Sequence, residues 1–165
     1  MTSFSGEIRI NAPKEKVWEV IADLGGIQAY HPGVRKSYYT SEQREGVGAS
    51  RHCDLKPFGS LDERIVSWQD GDSYVIDIYN GEKVPPFKTA TGYVSVEQDG
   101  TQTIARFAFQ YELKLGPLGW LMDRIMVRSR LKSVVPAALR GLKRYVENGE
   151  SEARRREPQE QAQMV

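Results

Sequence analysis

The 165-residue sequence predicts an α+β domain in which a curved antiparallel sheet of about seven strands closes around a long C-terminal helix. Two observations predict this class. Helical periodicity is confined to residues 13–30 and 118–148, and the residues between them form strand-like runs separated by turn residues. Runs joined by short turns, without helical crossovers, pair as antiparallel strands. Because a sheet that curves around a helix leaves space beneath it, we expect an internal cavity.

The N-terminal segment predicts one strand followed by two short helices. Phe4–Ile10 alternates apolar and polar residues, which is typical of a half-buried strand. Asn11 is expected to cap the first helix, and Gly25-Gly26 to end it. A second helical turn, Ile27–Tyr30, should stop before Pro32, because the residue before a proline disfavours helical conformation.

Six further strands are predicted in the middle of the chain. Turn residues such as Asp70-Gly71-Asp72 and Asp99-Gly100 separate them, and the short connections favour successive hairpins. The predicted strands are Val34–Ser41, Ala49–Leu55, Gly59–Gln69, Ser73–Tyr79, Lys88–Glu97 and Gln102–Leu115.

The last helix is predicted from about Leu118 to Asn148, and Gly149 closes it. Its apolar residues cover so wide an arc that we expect the sheet to enclose it. Pro136 should kink or break it, because proline removes one backbone hydrogen bond and clashes with the preceding turn. Its first half carries a row of flexible thioethers with a small hydroxyl, which favours adaptable apolar contacts. That row is Leu118, Met122, Met126 and Ser129.

Composition indicates one globular domain over residues 1–149, followed by a polar, disordered tail over residues 150–165. The net charge of +1 does not favour nucleic acid as a partner. One cysteine, no apolar signal region and no apolar run of about 18 residues lead us to expect a cytoplasmic protein. The basic residues of the last helix are expected on a solvated face; an anionic ligand or an anionic membrane is the alternative.

Several side chains are candidates for lining the interior. Phe107, Phe109 and Tyr111 share one face of the last predicted strand, and Tyr74 and Ile76 share a face of another. These residues are core by default, and the aromatic rings are large enough to line a pocket.

Polar candidates lie on two neighbouring strands and at one turn. Arg51 and Glu63 form either a surface cross-strand pair or an inward pair that anchors a ligand. Cys53 shares the face of Arg51, whereas His52 faces the other way. His31 is the best candidate for a general base, because its pKa lies near neutrality. Two histidines and one cysteine without metal-ligand spacing, and no nucleotide-binding motif, lead us to expect no metal and no cofactor.

The stretch Ile10–Val34 resembles the opening of the START-like superfamily, which has the Bet v 1 helix-grip fold. The similarity continues through Gly46–Leu55, Leu61–Gly71 and the last helix, so it covers roughly Phe4–Asn148. Bacterial members of this superfamily are called polyketide cyclase/dehydrase-like proteins. The resemblance implies a tunnel between the concave face of the sheet and the first half of the last helix. Its entrance is implied among His31–Gly33, Lys83–Phe87 and Gly116–Met122.

Three functions are consistent with this resemblance. The first is a carrier or chaperone for a hydrophobic, aromatic, polyketide or lipid-like molecule. The alternative is a cyclase or dehydratase in which His31, Glu63 or Tyr111 moves protons. A second alternative is a membrane-peripheral lipid or quinone chaperone; the protein is expected to be a monomer or homodimer. The residues expected to bind the ligand are Tyr30, Arg51, Tyr74, Ile76, Phe87, Phe107, Phe109, Leu118, Met122, Met126 and Ser129.

Overall fold

The computed structural model describes residues 1–149, which form one seven-stranded sheet and a set of helices at the two ends of the chain. The strands are β1 Thr2–Ile10, β2 Val34–Tyr39, β3 Ser50–Leu55, β4 Ser60–Gln69, β5 Ser73–Glu82, β6 Phe87–Asp99 and β7 Gln102–Leu113. The helices are α1 Lys14–Ala22, a 3₁₀ helix Leu24–Ala29, α2 Gly116–Met122, a π-helical turn Asp123–Val127, α3 Arg128–Leu131 and α4 Val134–Asn148.

The sheet is antiparallel throughout, and its strand order is β1-β7-β6-β5-β4-β3-β2. From β2 to β7, each strand therefore pairs with the next strand in the sequence, and β7 also pairs with β1. The sheet curls around α4, which lies against β1 and also contacts β7 and α1. Gly6 permits this approach, since a Cβ atom there would lie 3.2 Å from Leu139 Cδ1. The predicted helix-grip fold is confirmed.

The first helix begins and ends at residues other than those predicted. Its N-cap is Pro13, not Asn11, whose backbone N–H instead donates to Glu147 Oε1 at 2.7 Å. Gly25 does not end the helix but lies inside the following 3₁₀ helix. It is close to the sheet there, because a Cβ atom at Gly25 would lie 2.6 Å from Tyr39 Cε2.

The long terminal helix is broken. α3 ends at Leu131 and α4 begins at Val134, and the two residues between them form a turn. Pro136 lies in the first turn of α4, where its missing N–H leaves no hydrogen bond unmade. A continuous helix would need that N–H to bond the Lys132 carbonyl, so the predicted disruption lies at this point.

The two halves of the terminal region are buried to different degrees. α4 has a continuous buried apolar face. In α2, the π-helical turn and α3, by contrast, only Gly119 and Val127 are buried. Leu118 is 64% exposed and Met126 is 54% exposed. The expectation that the sheet encloses the first half is therefore wrong, because the positions that turn inward are those of Gly119, Met122 and Val127. The buried face of α4 consists of Val135, Ala138, Leu139, Gly141, Leu142 and Val146.

The predicted tail, residues 150–165, lies outside the described residues. Within residues 1–149, no helix combines the length and the apolar character that a membrane span requires.

Candidate functional site

Arg51 and Glu63 form an ion pair inside the concave face of the sheet. They are cross-strand partners on β3 and β4, and Arg51 Nε donates to Glu63 Oε2 at 2.6 Å. Arg51 is 4% exposed and Glu63 is 8% exposed, so the pair is inward and the surface alternative does not hold. Because burial removes both charges from water, only a close pair with further hydrogen bonds is tolerated there.

Arg51 and the nearby Tyr74 also bind backbone carbonyls where α1 ends and the 3₁₀ helix begins. The last carbonyls of a helix have no partner within the helix. Arg51 Nη1 donates to the Leu24 carbonyl at 3.0 Å, and the Tyr74 hydroxyl donates to the Ile21 carbonyl at 3.1 Å. Side chains of the sheet therefore bind the segment where α1 passes into the 3₁₀ helix.

Two more side chains complete what we call the polar cluster, which consists of Tyr30, Arg51, Cys53, Glu63 and Tyr74. The Cys53 thiol donates to Glu63 Oε2 at 3.4 Å. Tyr30 is 2% exposed, and its phenol interacts electrostatically with the other four members. No hydrogen bond joins its hydroxyl to any residue in the described range 1–149. Tyr30 therefore brings into the cluster a hydroxyl that bonds to no residue of this range.

Electrostatics leave one ion pair among neutral groups. Burial acts to lower the pKa of Arg51, but the Glu63 carboxylate more than reverses this and raises it, so the guanidinium stays charged. Burial raises the pKa of Tyr74 to about 12 and that of Tyr30 well above its usual value. Burial likewise raises the pKa of Cys53 to about 12. The cluster can therefore donate and accept hydrogen bonds, but it holds no thiolate nucleophile at neutral pH.

The Cys53 thiol should react very slowly in the folded protein. A rise in its pKa from 9.0 to about 12 lowers the thiolate fraction at pH 8 about a thousandfold. We expect Ellman's reagent to modify native Cys53 at least about 100-fold more slowly than the urea-unfolded chain at that pH. Because the folded pKa is the higher one, the contribution of this group to stability is present below pH 9 and decreases from there towards pH 12. Equal rates for native and unfolded chains would contradict this burial.

Tyr111 belongs to a second, separate cluster. Its hydroxyl donates to Asp123 Oδ1, and Thr2 Oγ1 donates to Asp123 Oδ2 at 2.8 Å. The ring packs against Phe87 and Phe109, with centroids 5.5 and 5.6 Å away. Burial and the Asp123 carboxylate raise the pKa of Tyr111. These contacts attach the π-helical turn to strands β1 and β7.

His31 lies in a third place. Its Nδ1 accepts a hydrogen bond from the Gly33 N–H at 3.0 Å, so the ring is held by its own turn. It lines a cleft of about 600 Å³ between that turn, Lys56-Pro57 and the start of α4. His31, Glu63 and Tyr111 therefore do not share one site, and their geometry provides no common path for proton transfer.

The three segments expected to form one entrance border different clefts. His31–Gly33 lines the cleft beside α4. Val84–Phe87 lines a second cleft of about 510 Å³ beside the β5–β6 hairpin, and Gly116 and Trp120 line a third of about 280 Å³. The second and third clefts share Lys88 and Lys114 in their linings, whereas the cleft beside α4 shares no lining residue with either of them.

A scan of family models places the chain in a family. The model described as "Polyketide cyclase / dehydrase and lipid transport" matches residues 1–147, almost the whole described range. The chain belongs to this family. The resemblance inferred from the sequence is thus confirmed, and family and fold together support a protein that binds a hydrophobic ligand. The curated proteins contain no significant sequence match to the chain.

Solved structures share the fold of this family member at low identity. The protein TTHA0849 from Thermus thermophilus is 21% identical with a TM-score of 0.74, over 91% of this chain and 100% of its own. A START superfamily protein from Mycobacterium smegmatis is 12% identical with a TM-score of 0.68, over 88% and 97%. Ara h 8.0201 is 14% identical with a TM-score of 0.67, over 88% and 97%. These structures support the architecture of the family member.

The remaining predicted ligand residues divide into inner and outer sets. Ile76 is buried in the main core, and Phe107 packs against it from β7. Met122 contacts the Tyr111 cluster. The inward expectation is wrong for Leu118, Met126 and Ser129, which are exposed.

The sequence did not predict two sets of interacting groups, which are backbone carbonyls and one carboxylate. The Ile21 and Leu24 carbonyls bind the polar cluster, but a backbone carbonyl has no sequence signal. Asp123 was not among the predicted site residues, although its carboxylate accepts a hydrogen bond from Tyr111. Its position among exposed arginines was the available hint. Residues 1–149 contain no group of three or more histidine, cysteine or acidic side chains placed to hold a metal ion.

Proposed function

We propose that this family member carries a hydrophobic small molecule between the concave face of its sheet and the terminal helices, with the polar cluster as the anchor for a carbonyl or hydroxyl of that molecule. The observation that carries the proposal is the buried cluster itself. Small-molecule sites in proteins combine a mainly apolar lining with a few convergent polar groups.

The polar cluster supports this proposal through its unused hydrogen-bonding atoms. Glu63 Oε2 accepts from both Arg51 and Cys53, which leaves Oε1 without a bond from residues 1–149. The Tyr30 hydroxyl is in the same situation. A ligand oxygen placed there would accept from Tyr30, and a ligand hydroxyl would donate to Glu63. Both bonds form in a water-poor environment, where hydrogen bonds are strong and unpaired groups are costly.

The surroundings of the cluster support an apolar ligand body. Ile76 and Tyr74 continue the concave face on β5, and Phe107 and Phe109 continue it on β7. The cleft beside His31 borders the cluster only through the chain, since His31 directly follows Tyr30 and no member of the cluster is among the residues that line the cleft. We propose this cleft as the entrance, because its lining combines Pro32, Pro57 and Val134 with few charges.

The first test is native mass spectrometry of gently purified protein, followed by displacement of 1-anilinonaphthalene-8-sulfonate by a panel of hydrophobic ketones, alcohols and hydrocarbons. We expect a bound molecule or a displacing compound with an oxygen function. Tyr30→Phe should lower the affinity for that compound about tenfold, because one hydrogen bond is lost. The affinity for a matched hydrocarbon should stay unchanged.

The control is Tyr79→Phe, which makes the same change on an exposed tyrosine. It should alter neither affinity. Absence of any copurifying mass together with no displacement by the panel would refute ligand binding. Equal weakening of ketone and hydrocarbon by Tyr30→Phe would retain the pocket but refute the polar anchor.

A further inference from the structure

The helical segment before the break exposes an apolar ridge. Leu118 is 64% exposed, Trp120 61% and Ile125 65%, and Leu121 and Met126 are also exposed. These five residues, which we call the ridge, lie within nine consecutive positions. Soluble domains expose single apolar side chains, but a contiguous group with a tryptophan marks an interaction surface.

A set of cations surrounds the ridge. Arg124, Arg128, Arg130 and Lys132 are exposed, and within residues 1–149 none of them forms a salt bridge. The acidic residue of the segment, Asp123, accepts hydrogen bonds from Tyr111 and Thr2 and forms no salt bridge with these cations within residues 1–149, so four cations stand against one carboxylate. Arg124 lies over the Trp120 ring at 5.6 Å, which places a cation and an amphipathic ring side by side.

We propose that this segment, Gly116–Lys132, is a docking surface for an anionic lipid bilayer. The ridge enters the boundary between headgroups and acyl chains, and the four cations lie at the headgroup level. A short helical segment that exposes Leu, Trp and Ile together with Arg and Lys has the composition of interfacial membrane helices. Tryptophan prefers this boundary because its ring is apolar and its N–H is polar.

Charge argues for lipid over a second copy of the chain. In a two-fold dimer through the ridge, the same four cations of each copy would face one another without acids between them. An anionic bilayer reverses this, because each cation near the surface adds attraction. The docking surface is also independent of the proposed ligand site, since its contacts to the sheet are with the Tyr111 cluster.

Tryptophan fluorescence can report on this segment, because the three tryptophans differ in their surroundings. Trp18 and Trp68 are packed together, with ring centroids 5.1 Å apart, whereas Trp120 is exposed. The full chain is mixed with vesicles of phosphatidylcholine alone or with 30 mol%, roughly a third, of phosphatidylglycerol, as a strongly anionic surface. We expect flotation and a blue shift of tryptophan emission with the anionic vesicles only. The shift should disappear in Trp120→Phe, and binding should weaken as salt rises.

Two variants separate the contributions. Leu118→Ser/Ile125→Ser removes apolar insertion, and Arg124→Gln/Arg128→Gln removes two charges; each should weaken partitioning at least about tenfold. The matched controls are Phe58→Ser and Arg35→Gln/Lys36→Gln, which change exposed residues elsewhere. They should bind like the unaltered chain, and all four variants should still bind the anilinonaphthalene probe.

Four outcomes would overturn the proposal. They are absence of flotation with anionic vesicles, equal binding to neutral vesicles, a dimer in solution that Leu118→Ser/Ile125→Ser dissociates, and loss of binding only when Arg154, Arg155 and Arg156 are replaced. The dimer would assign the ridge to self-association. Dependence on the three tail arginines would assign the membrane contact to the tail. Loss of probe binding without loss of flotation would instead count against the ligand site alone.

Discussion

Arg51→Met is expected to lower the free energy of unfolding by about 3–5 kcal/mol, because it leaves the Glu63 carboxylate buried without its countercharge. The variant also removes the donor to the Leu24 carbonyl, so the first residue of the 3₁₀ helix loses a partner. Urea unfolding followed by circular dichroism measures the change.

The double variant Arg51→Met/Glu63→Leu should recover most of this loss. Two apolar side chains of similar volume remove the unpaired charge as well as the pair, and such replacements are often neutral. The coupling free energy from the four-member cycle then reports the interaction between the two side chains.

The matched control is the neighbouring surface pair Arg64–Asp77, which joins β4 to β5 at 3.2 Å but is largely exposed. Arg64→Met should change the free energy of unfolding by less than about 1 kcal/mol. If Arg51→Met were equally mild, water would have to reach the Arg51–Glu63 pair, and the cluster could not serve as a buried anchor.

The second large effect is expected at the centre of α4. Leu142→Ala should lower the free energy of unfolding by about 2–5 kcal/mol, since Leu142 is 0% exposed and its truncation leaves a cavity in the main core. The same urea experiment measures it.

Leu118→Ala makes the identical chemical change in α2, where the side chain is mostly exposed. We expect a change within about 0.5 kcal/mol. A comparable loss in both variants would mean that the first half of the terminal region is packed as tightly as the second, which would also remove the ridge proposed to bind lipid.

Much of the fold could be predicted from the sequence because its signals are local. Alternation along Phe107, Phe109 and Tyr111 depends only on the period of a strand, so the inward face of β7 was predicted. The successive antiparallel hairpins followed from short turns, which leave few ways to pair neighbouring strands, whereas the pairing of β1 with β7 was not predicted. The exact helix caps were wrong at Asn11 and Gly25, since those positions depend on contacts with Glu147 and Tyr39 that local sequence does not encode.

The candidate site was only partly predictable. Tyr30, Arg51, Glu63 and Tyr74 were all named from the sequence, and the structure brings them together with Cys53. The sequence could not decide whether Arg51 and Glu63 face inward. Polar and apolar residues occur on both faces of their strands, so the alternation does not identify the buried face. His31 and Tyr111, which were candidates for moving protons beside Glu63, lie in other parts of the structure.

By itself, the sequence determined the α+β class, the antiparallel hairpins, the apolar face of α4 and the disruption near Pro136. These features follow from periodicity, turn residues and the missing N–H of proline, all of which act over a few residues. Only the tertiary structure decided that Arg51 and Glu63 are buried, that Asp123 turns inward, and that Leu118 and Ile125 remain exposed. The physical reason is that burial of a side chain depends on which distant elements pack against it, and a single segment does not specify them.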